Sequence, residues 1–354
     1  MFVKNAWYVA AWETEIAEAP LARTILSEPV VMFRIGNVVI ALEDRCCHRA
    51  LPLSMGQVVG DRIQCGYHGL EFDTSGVCVK VPGQTKIPPG AKIRSYPVVQ
   101  RYGWVWIWTG DAAKADPLQI PDWWWLESPD WKTIPGRGGT PMHLDANYLL
   151  VSDNLFDISH LTYVHASSIG ADSIVDFPPK TERWDDEKRV KMSREIFDRP
   201  AAPFYQKAGD FTANVDRWIM TTSDLPCYMA SDAGSVKLGT GITPGEVGPE
   251  RGVEMKIMNL PTPETETSTH YFYSHCRHFH IDSEEWDEIY RTQFTAVFDE
   301  DKVVLEGQQR RMSEYPSAPT IDINADAPNI QVRRMIDEMI AEEQAALDGR
   351  RKSA

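Results

Sequence analysis

The feature that most constrains this chain is a pair of short segments that each offer one cysteine and one histidine. Cys46 and His48 form a Cys-x-His pair, and Cys65 and His68 form a Cys-x2-His pair after sixteen intervening residues. Two loops of this kind suit a [2Fe–2S] cluster in which thiolates bind one iron and imidazoles bind the other. Because residues i and i+2 of an extended turn point to the same side, Cys46 rather than Cys47 is expected to pair with His48.

A zinc site of two cysteines and two histidines is the alternative for this motif. Zinc sites usually open with two cysteines that are two to four residues apart, and not with Cys-x-His, so the spacing favours the iron–sulfur cluster. Six cysteines in 354 residues do not make a disulfide framework. The remaining cysteines have no partner at motif spacing and are interpreted as small buried apolar residues: Cys47, Cys78, Cys227 and Cys276.

A second group of candidate metal ligands lies in the segment 147–165, which looks helical. It contains Asn154, Asp157, His160 and His165. Asp157 and His160 are three residues apart and are therefore neighbours on a helix face. His160 and His165 are five apart, about 140° around an ideal helix. The two histidines can meet one ion only if the helix is distorted or ends between them.

The third ligand is predicted from a helix expected over residues 286–308. At 100° per residue, six apolar or aromatic residues fall within about 60° of Asp301: Tyr290, Phe294, Val297, Phe298, Val304 and Leu305. Asp299 falls near 160°, on the solvent side, by the same geometry. A carboxylate in an apolar stripe is costly unless it is paired or metal-bound. Two histidines with one carboxylate are typical of non-haem Fe(II) oxygenases, and the alternative is a salt bridge from Asp301 to an arginine such as Arg277.

Composition and charge limit the classes of partner. The chain has 36 Lys and Arg against 51 Asp and Glu, a net charge of −15, which argues against nucleic acid and against an anionic membrane surface. No apolar run approaches the 18 residues of a membrane-spanning helix, and the start lacks a signal-peptide design. We therefore expect a cytoplasmic protein.

Two domains are expected from the length and from the pattern of elements. The first third is predicted to be β, with short β-branched runs at 29–34 and 37–42 and alternating bulky residues at 103–109. The second part mixes helical and β patterns. Ser283 is placed to cap the helix that carries Asp301, and an amphipathic helix closes the chain. The predicted class is α+β, with a boundary near residue 120.

These motifs resemble those of the Rieske non-haem iron aromatic oxygenases. The resemblance rests on the Cys/His pairs, on Asp-Asn-Leu-x-Asp-x2-His-x4-His at 153–165, and on Phe-x-Glu-Asp-Lys at 298–302. It runs the whole length of the chain, and segments 4–10, 163–170 and 321–324 are similar to the vanillate O-demethylase branch of the family. It implies an N-terminal all-β Rieske [2Fe–2S] domain over 1–120 and a C-terminal helix-grip (START-like) catalytic domain with mononuclear iron over 121–354.

The resemblance also implies roles for individual residues. Asp157 matches the family's bridging aspartate, and Asn154 matches its neighbour in the active site. The implied ligands are those of the cluster and those of the Fe(II) ion: Cys46, His48, Cys65 and His68 for the [2Fe–2S] cluster, and His160, His165 and Asp301 for the mononuclear iron.

The implied reaction is a monooxygenation that uses O2 and electrons. A methoxybenzoate such as vanillate would be hydroxylated at the methoxy carbon and would break down to the phenol, protocatechuate, and formaldehyde. No Gly-x-Gly-x-x-Gly pattern is present, so NADH is expected to be used by a separate flavin and iron–sulfur reductase. The family's head-to-tail homotrimer is expected here as well.

Two alternatives stay open. One is a related Rieske monooxygenase acting on another aromatic acid, such as a sulfonate, a phenoxybenzoate or a chlorinated methoxybenzoate. The other is a non-catalytic Rieske electron carrier, against which about 230 further residues and a second set of ligands argue. An anionic substrate needs local positive or donor groups in an acidic protein, and Arg217, Asn259 and Arg277 are the candidates for those contacts.

Overall fold

The computed structural model describes residues 1–165, 169, 176–248 and 251–353, with side chains as far as residue 349. Part of the segment 163–170 compared above therefore lies outside the described residues. The chain divides into two compact units. The first comprises Met1–Ile120 together with Thr262–Glu266, and the second comprises Pro121–Pro261 and the chain from Thr267 onward.

The first unit is built from strands and short 3-10 turns. Its sheets have the orders β1-β11-β10, β2-β3-β4-β9 and β5-β6-β7-β8. The strands predicted at 29–34, 37–42 and 103–109 are confirmed as β3, β4 and β11. The strand bounds are β1 Trp7–Trp12, β2 Leu21–Ile25, β3 Glu28–Ile35, β4 Val38–Glu43, β5 Gln57–Val59, β6 Arg62–Gln64, β7 Glu71–Phe72, β8 Cys78–Lys80, β9 Ser95–Tyr96, β10 Val98–Arg101 and β11 Trp104–Trp108.

The second unit is organised around an antiparallel sheet of eight strands. Its order is β12-β19-β18-β17-β16-β15-β14, and β13 also pairs with β19. Side chains alternate between the two faces along each strand, so each long strand presents one row of residues to the helices. The bounds are β12 Lys132–Pro135, β13 Met142–Leu144, β14 Lys180–Trp184, β15 Arg189–Pro200, β16 Asn214–Asp224, β17 Tyr228–Lys237, β18 Gly252–Thr265 and β19 Ser268–Arg277.

The helices of the second unit supply the rest of its core. Phe298 and Leu305 of α5 pack with Tyr271 and Tyr273 of β19 and with Leu150 of α1. This layer of helices on an antiparallel sheet confirms the predicted α+β class. The bounds are α1 Tyr148–Phe156, α2 Leu161–Val164, α3 Pro203–Gly209, α4 Glu284–Ile289, α5 Thr295–Glu314 and α6 Ala327–Ser353.

The helix predicted over 286–308 is interrupted rather than continuous. Ser283 caps α4 by accepting a hydrogen bond from the Trp286 backbone amide, as predicted, but a π-helical turn over Tyr290–Phe294 separates α4 from α5. Such turns are rare and frequently occur at functional sites. In the part of the chain that the structure describes, no helix is both long enough and apolar enough to cross a bilayer.

Candidate metal centres and active-site cavity

The two Cys/His loops of the first unit share one backbone design. The Cys46 amide donates to the carbonyl of Leu51, and the amide of Ala50 donates to the carbonyl of Cys46, with distances of 2.9 Å for both. The second loop repeats this pattern: Cys65 donates to Leu70 at 2.8 Å, and Gly69 donates to Cys65 at 3.0 Å. Ala50 and Gly69 occupy the same place in their loops, and both have positive φ, 58° and 70°. The loops therefore present Cys46 and Cys65 in equivalent settings.

The loops separate the thiols from the imidazoles. Cys46 and Cys65 are 2% and 3% exposed and belong to the core of the first unit. His48 and His68 are exposed, and their ring centroids lie 4.6 Å apart. Burial, with the neighbouring Cys65 thiol adding to its effect, raises the pKa of the Cys46 thiol to about 11. Two adjacent buried thiols become thiolates readily only when cations neutralise them.

Glycines let the two loops approach closely. A Cβ on Gly66 would lie 2.7 Å from the carbonyl oxygen of Met55, and one on Gly56 would lie 2.0 Å from the carbonyl oxygen of Gln64. Side chains at either position would push the loops apart. The donor set, two inner thiols and two outer imidazoles, fits a [2Fe–2S] cluster held by two residues from each loop.

The other cysteines are placed largely as predicted. Cys78, Cys227 and Cys276 are buried, but Cys47 is only partly buried. Cys47 lies on the more open side of its loop because its neighbour Cys46 takes the inward position. The structure therefore supports Cys46, and not Cys47, as the inner thiol.

The second candidate centre brings together His160, His165 and Asp301. One ligand atom from each of these residues lies within 4.8 Å of the others. Asp301 Oδ1 is 3.5 Å from His160 Nε2 and 3.1 Å from His165 Nε2. The rings of the two histidines are 5.2 Å apart. The predicted set of two histidines and one carboxylate therefore converges in space.

The histidines converge because the helix ends between them. Asn147 caps α1 through its side chain, and α1 ends at Phe156. The chain then makes a 3-10 turn over Ile158–His160 and a short helix, α2, before reaching His165. This is the interruption that the five-residue spacing requires.

Each histidine is oriented by an acceptor on its Nδ1 atom. His160 Nδ1 donates to the backbone carbonyl of Asp157 at 2.5 Å, and His165 Nδ1 donates to Glu300 Oε2 at 2.6 Å. A carbonyl and a carboxylate accept hydrogen bonds, so the protons lie on Nδ1 and both Nε2 atoms are left with lone pairs. Two Nε2 lone pairs aimed at one carboxylate oxygen fit a bound metal ion better than a salt bridge.

Asp157 makes two separate contacts in the turn that carries His160. Its backbone carbonyl, and not its carboxylate, holds His160. The carboxylate Oδ1 instead accepts hydrogen bonds from the backbone amide of Ser159 at 3.0 Å and from its hydroxyl at 2.5 Å. The carboxylate does so because it caps the 3-10 turn that carries His160. Asp157 therefore positions the ligand through the backbone.

Asn154 lies within the same cluster, as predicted. Its Nδ2 donates to Asp301 Oδ1 at 3.0 Å and lies 3.4 Å from His160 Nε2. This contact restrains the Asp301 carboxylate. Asp301 does not pair with Arg277, because that arginine binds Asp287 Oδ1 at 2.6 Å.

The predicted helix phase holds around Asp301. The Asp301 side chain is 14% exposed and faces the cluster, whereas Asp299 is 48% exposed and pairs with Arg137 at 2.7 Å. Of the predicted apolar stripe, Val304 is the exception, because it is 44% exposed. Val304 lies at the edge of the predicted stripe.

A largely apolar cavity opens beside the histidines and Asp301, and the space in it and in its open mouth is about 780 Å³. Arg217 and Asn259, two of the candidates for substrate contacts, line it. Arg277 does not line it: the Arg277 side chain is fully buried and donates to the carbonyls of His280 and Ser283 as well as to Asp287. The expectation for Arg277 is therefore corrected, because this arginine ties the end of β19 to α4.

The sequence did not identify several residues of these sites. Glu300 orients His165, and Tyr205 and Thr221 line the cavity. Glu300 is adjacent to Asp301 in the motif at 298–302, which is the one signal that could have found it. Tyr205 and Thr221 are reached only through the strand register and the packing of α3, for which the sequence holds no local signal.

Comparison with known proteins bears on both units. Residues 6–97 match the Rieske [2Fe-2S] domain, and residues 144–342 match the vanillate O-demethylase oxygenase C-terminal domain. The iron-sulfur subunit of the toluene-4-sulfonate monooxygenase system of Comamonas testosteroni is 40% identical over 97% of this chain and 98% of its own. The vanillate O-demethylase oxygenase subunit of Pseudomonas sp. (strain HR199 / DSM 7063) is 38% identical over 98% of each chain. A crystal structure of dicamba monooxygenase with non-heme iron and dicamba has a TM-score of 0.82 at 33% identity, over 98% of this chain and 99% of that one.

Proposed function

This chain belongs to the Rieske non-haem iron oxygenases, and we propose that it is the oxygenase component of an aromatic O-demethylase that acts on a methoxybenzoate such as vanillate. Membership of the family makes it a Rieske monooxygenase with a [2Fe–2S] cluster and a mononuclear iron. The observation that carries the proposal is the group of His160, His165 and Asp301 beside an apolar cavity. A cavity of this kind suits one substituted aromatic ring.

The residues have distinct tasks in this proposal. Cys46, His48, Cys65 and His68 would hold the cluster, while His160, His165 and Asp301 would hold the iron. Bound there, the two groups would supply electrons and the activation of O2. The Asn154 amide keeps the Asp301 carboxylate oriented through its 3.0 Å hydrogen bond.

Apolar side chains of the cavity hold the aromatic ring and exclude water. Ile158, Ile219, Phe294 and Phe298 are among the residues that do so. The overall reaction inserts one oxygen atom of O2 into a C–H bond of the methoxy group and reduces the other to water, with two electrons and two protons. The hydroxylated methoxy carbon is then lost as formaldehyde, which leaves the phenol.

Two partners complete the proposal. Electrons come from a separate flavin and iron–sulfur reductase that oxidises NADH. A second and a third copy of this chain form a homotrimer, in which Asp157 bridges His160 and a cluster histidine of a neighbouring copy.

Oxidation of an aryl sulfonate is the second candidate function. It is favoured by the 40% identity to the iron-sulfur subunit of a toluene-4-sulfonate monooxygenase system. The same residues would hold the metals, and only the substrate and the bond that is oxidised would differ.

The test measures formaldehyde from the purified chain with a surrogate reductase, NADH and O2. Substrates are vanillate, other methoxybenzoates, a chlorinated methoxybenzoate, a phenoxybenzoate and toluene-4-sulfonate. We expect formaldehyde in equal amount to the phenol formed from a methoxybenzoate. Asp301→Ala should form no product, and Asp299→Ala should be near wild type. Oxygen-dependent conversion of the sulfonate, with no demethylation of any methoxybenzoate, would reject the O-demethylase and favour the second candidate.

A further inference from the structure

Three polar side chains lie on the cavity side of the second unit without serving the metal cluster. Arg217 on β16 and Ser235 on β17 are directly opposite each other in the strand register. Tyr205 on α3 lies against Arg217, with the guanidinium carbon 4.8 Å from the centre of its ring. Arg217 and Tyr205 line the cavity, and Ser235 shares the sheet face of Arg217.

All three residues are buried, and each leaves a polar atom without a hydrogen bond. Tyr205 is 2% exposed, Arg217 6% and Ser235 0%. Within the described chain, no hydrogen-bond partner is found for Tyr205 Oη, Arg217 Nε or Ser235 Oγ. Burial raises the pKa of Tyr205, and the adjacent guanidinium partly offsets this. The Tyr205 hydroxyl is therefore a neutral donor at physiological pH.

An unpaired guanidinium in such a place needs an explanation. Arginine cannot lose its proton in proteins, and an isolated buried charge is strongly unfavourable unless a counter-charge meets it. No described carboxylate forms a salt bridge with Arg217, and Arg217 is the sole lysine or arginine among the described residues that line the cavity. The missing partner is thus an acceptor that carries negative charge and enters the cavity.

The position along β16 separates this group from the metal ligands. Arg217, Ile219 and Thr221 alternate onto the cavity face. The Thr221 hydroxyl donates to the carbonyl of Leu155 at 3.2 Å, next to Asn154 of the metal cluster. Four residues of an antiparallel strand span about 13 Å. The backbone of Arg217 therefore lies in the part of the cavity that is distant from the metal ligands. This separation leaves room for one aromatic ring between Arg217 and the metal cluster.

We propose that Arg217, Tyr205 and Ser235 form an oxyanion-binding subsite that holds the carboxylate or sulfonate of an aromatic acid. The inference rests on the proposed function only for the oxidation at the metal. Binding of the acid group does not depend on it. Arg217 and Tyr205 line the cavity directly, and Ser235 lies next to Arg217 on the adjacent strand, so donors from a helix and from two strands match the several oxygens of such a group. The subsite holds the acid group away from the iron, so the opposite end of the ring is presented for oxidation.

Binding is measured by calorimetry on the metal-loaded protein with ligands that offer nothing to demethylate. The probes are benzoate, benzenesulfonate and their neutral counterparts benzamide and methyl phenyl sulfone. We expect Arg217→Met to weaken benzoate and benzenesulfonate by at least about thirtyfold, as expected when one partner of a buried charge pair is removed. Binding of the neutral probes should change less than threefold. Equal losses for neutral and anionic probes would overturn the subsite.

Smaller changes and a matched control sharpen this test. Tyr205→Phe and Ser235→Ala each remove one hydroxyl, and each should weaken the anions about three- to thirtyfold. Arg189→Met removes a cation of the same sheet that pairs with Glu187 and Asp224, and it should leave anion binding unchanged. Loss of anion binding in Arg189→Met as well would show that overall charge, and not the subsite, governs affinity.

Stability without ligand separates a binding role from a structural one. A buried cation without a partner destabilises the free protein, so Arg217→Met should unfold at the same or a higher urea concentration than wild type. A marked loss of stability in Arg217→Met would assign the residue to the core instead. Arg217-dependent binding of benzenesulfonate by a protein that demethylates no methoxybenzoate would keep the subsite and reject the proposed function. Demethylation of a methoxybenzoate that is unaffected by Arg217→Met would reject the subsite and keep the proposed function.

Discussion

Cys46 and Cys47 are neighbours in the sequence and differ in their surroundings. Cys46 is 2% exposed beside Cys65, whereas Cys47 is only partly buried. We expect Cys46→Ser to abolish the visible absorbance and the acid-labile sulfide of the purified protein, because a buried ligand of the cluster is lost. Cys47→Ala should retain both, as the matched control. A Cys46→Ser protein with full sulfide content would reject this ligand assignment.

The structure shows a role for Glu300 that the sequence analysis did not identify. It accepts the Nδ1 hydrogen bond of His165 at 2.6 Å. Removal of a hydrogen-bond partner of a ligating histidine typically lowers metal affinity about 10- to 100-fold. Glu300→Ala should therefore bind iron about 10- to 100-fold more weakly, while the cluster is unchanged. Iron content after dialysis against a weak chelator measures this effect.

The adjacent Asp299 provides the control for Glu300. Asp299 pairs with Arg137 and is 48% exposed, so Asp299→Ala removes an acidic neighbour without touching a histidine. Equal loss of iron from both variants would mean that the local charge matters more than the hydrogen bond to His165.

At the residue scale, the sequence predicted those groups whose chemistry demands a fixed spacing. Cys46 and His48 are two residues apart and Cys65 and His68 are three apart, and these Cys/His spacings are visible without a fold. Arg277 failed as a substrate contact for the opposite reason. Its partner Asp287 lies on α4, ten residues further along the chain, and residue type alone does not distinguish a buried ion pair from a ligand contact.

At the scale of elements, helix periodicity predicted Asp301 but not the interruptions around it. The alternation of apolar residues placed Asp301 inward and Asp299 outward, as found. The π-helical turn at Tyr290–Phe294 was not predicted, because the two buried aromatic residues at its ends are four apart, a spacing that an ordinary α-helix also places on one face. The break after α1 was inferred only from the need of His160 and His165 to meet.

Strand β18 carries a buried charge cluster on the sheet face opposite the cavity. Met255 and Ile257 line the cavity, so Glu254 and Lys256 alternate onto the other face. Lys256 Nζ lies 2.8 Å from Glu254 Oε1 and also pairs with Asp232. The Gly245 amide donates to Glu254, and His278 Nε2 is 4.0 Å from its carboxylate. Burial raises the pKa of Glu254 to about 7, with the nearby Asp232 adding to the effect.

The raised pKa of Glu254 predicts a pH-dependent stability. Between its ordinary value of 4.5 and about 7, the folded protein keeps a proton that the unfolded chain has lost. The contribution of Glu254 to the free energy of unfolding is therefore greatest below pH 4.5 and falls as pH rises to 7. In Glu254→Gln this fall should disappear, so the variant gains stability relative to wild type between pH 5 and pH 8.

Urea denaturation at several pH values between 5 and 8 measures the slope. Glu246→Gln is the matched control, because Glu246 is exposed in the same loop as Gly245 and should leave the slope unchanged. A Glu254→Gln protein that keeps the wild-type slope would show that Glu254 is ionised throughout this range.

At the scale of the whole molecule, the division into two units reflects packing that the sequence does not reveal. Thr262–Glu266 belongs to the first unit although it continues strand β18 of the second. Thr262 donates to the carbonyl of Val9 at 2.8 Å, and the Leu26 amide donates to the carbonyl of Pro263 at 2.8 Å. A continuous strand has no change of pattern at the point where its partners change, so no local signal could predict this exchange.

The homotrimer proposed above gives the last prediction. Asp157 Oδ1 is committed to Ser159, and its backbone carbonyl holds His160. In the part of the chain that the structure describes, no hydrogen bond to Asp157 Oδ2 is found, so this oxygen can accept one from a cluster histidine, His68, of a neighbouring copy. Asp157→Asn should keep both metals and the trimer, and it should lose nearly all electron transfer to the iron.

Mixing two inactive variants tests whether that contact joins different copies. Asp157→Asn has an intact cluster, and Cys46→Ser has an intact Asp157, so each lacks what the other supplies. In a closed ring of head-to-tail interfaces, reassorted trimers contain some interfaces at which an intact cluster meets an intact Asp157. We expect activity to return after dissociation and reassembly of the mixture, and not after mixing without reassembly. A fully active monomer, or a reassembled mixture that stays inactive, would reject the bridge between copies, because electrons would then have to pass within one chain.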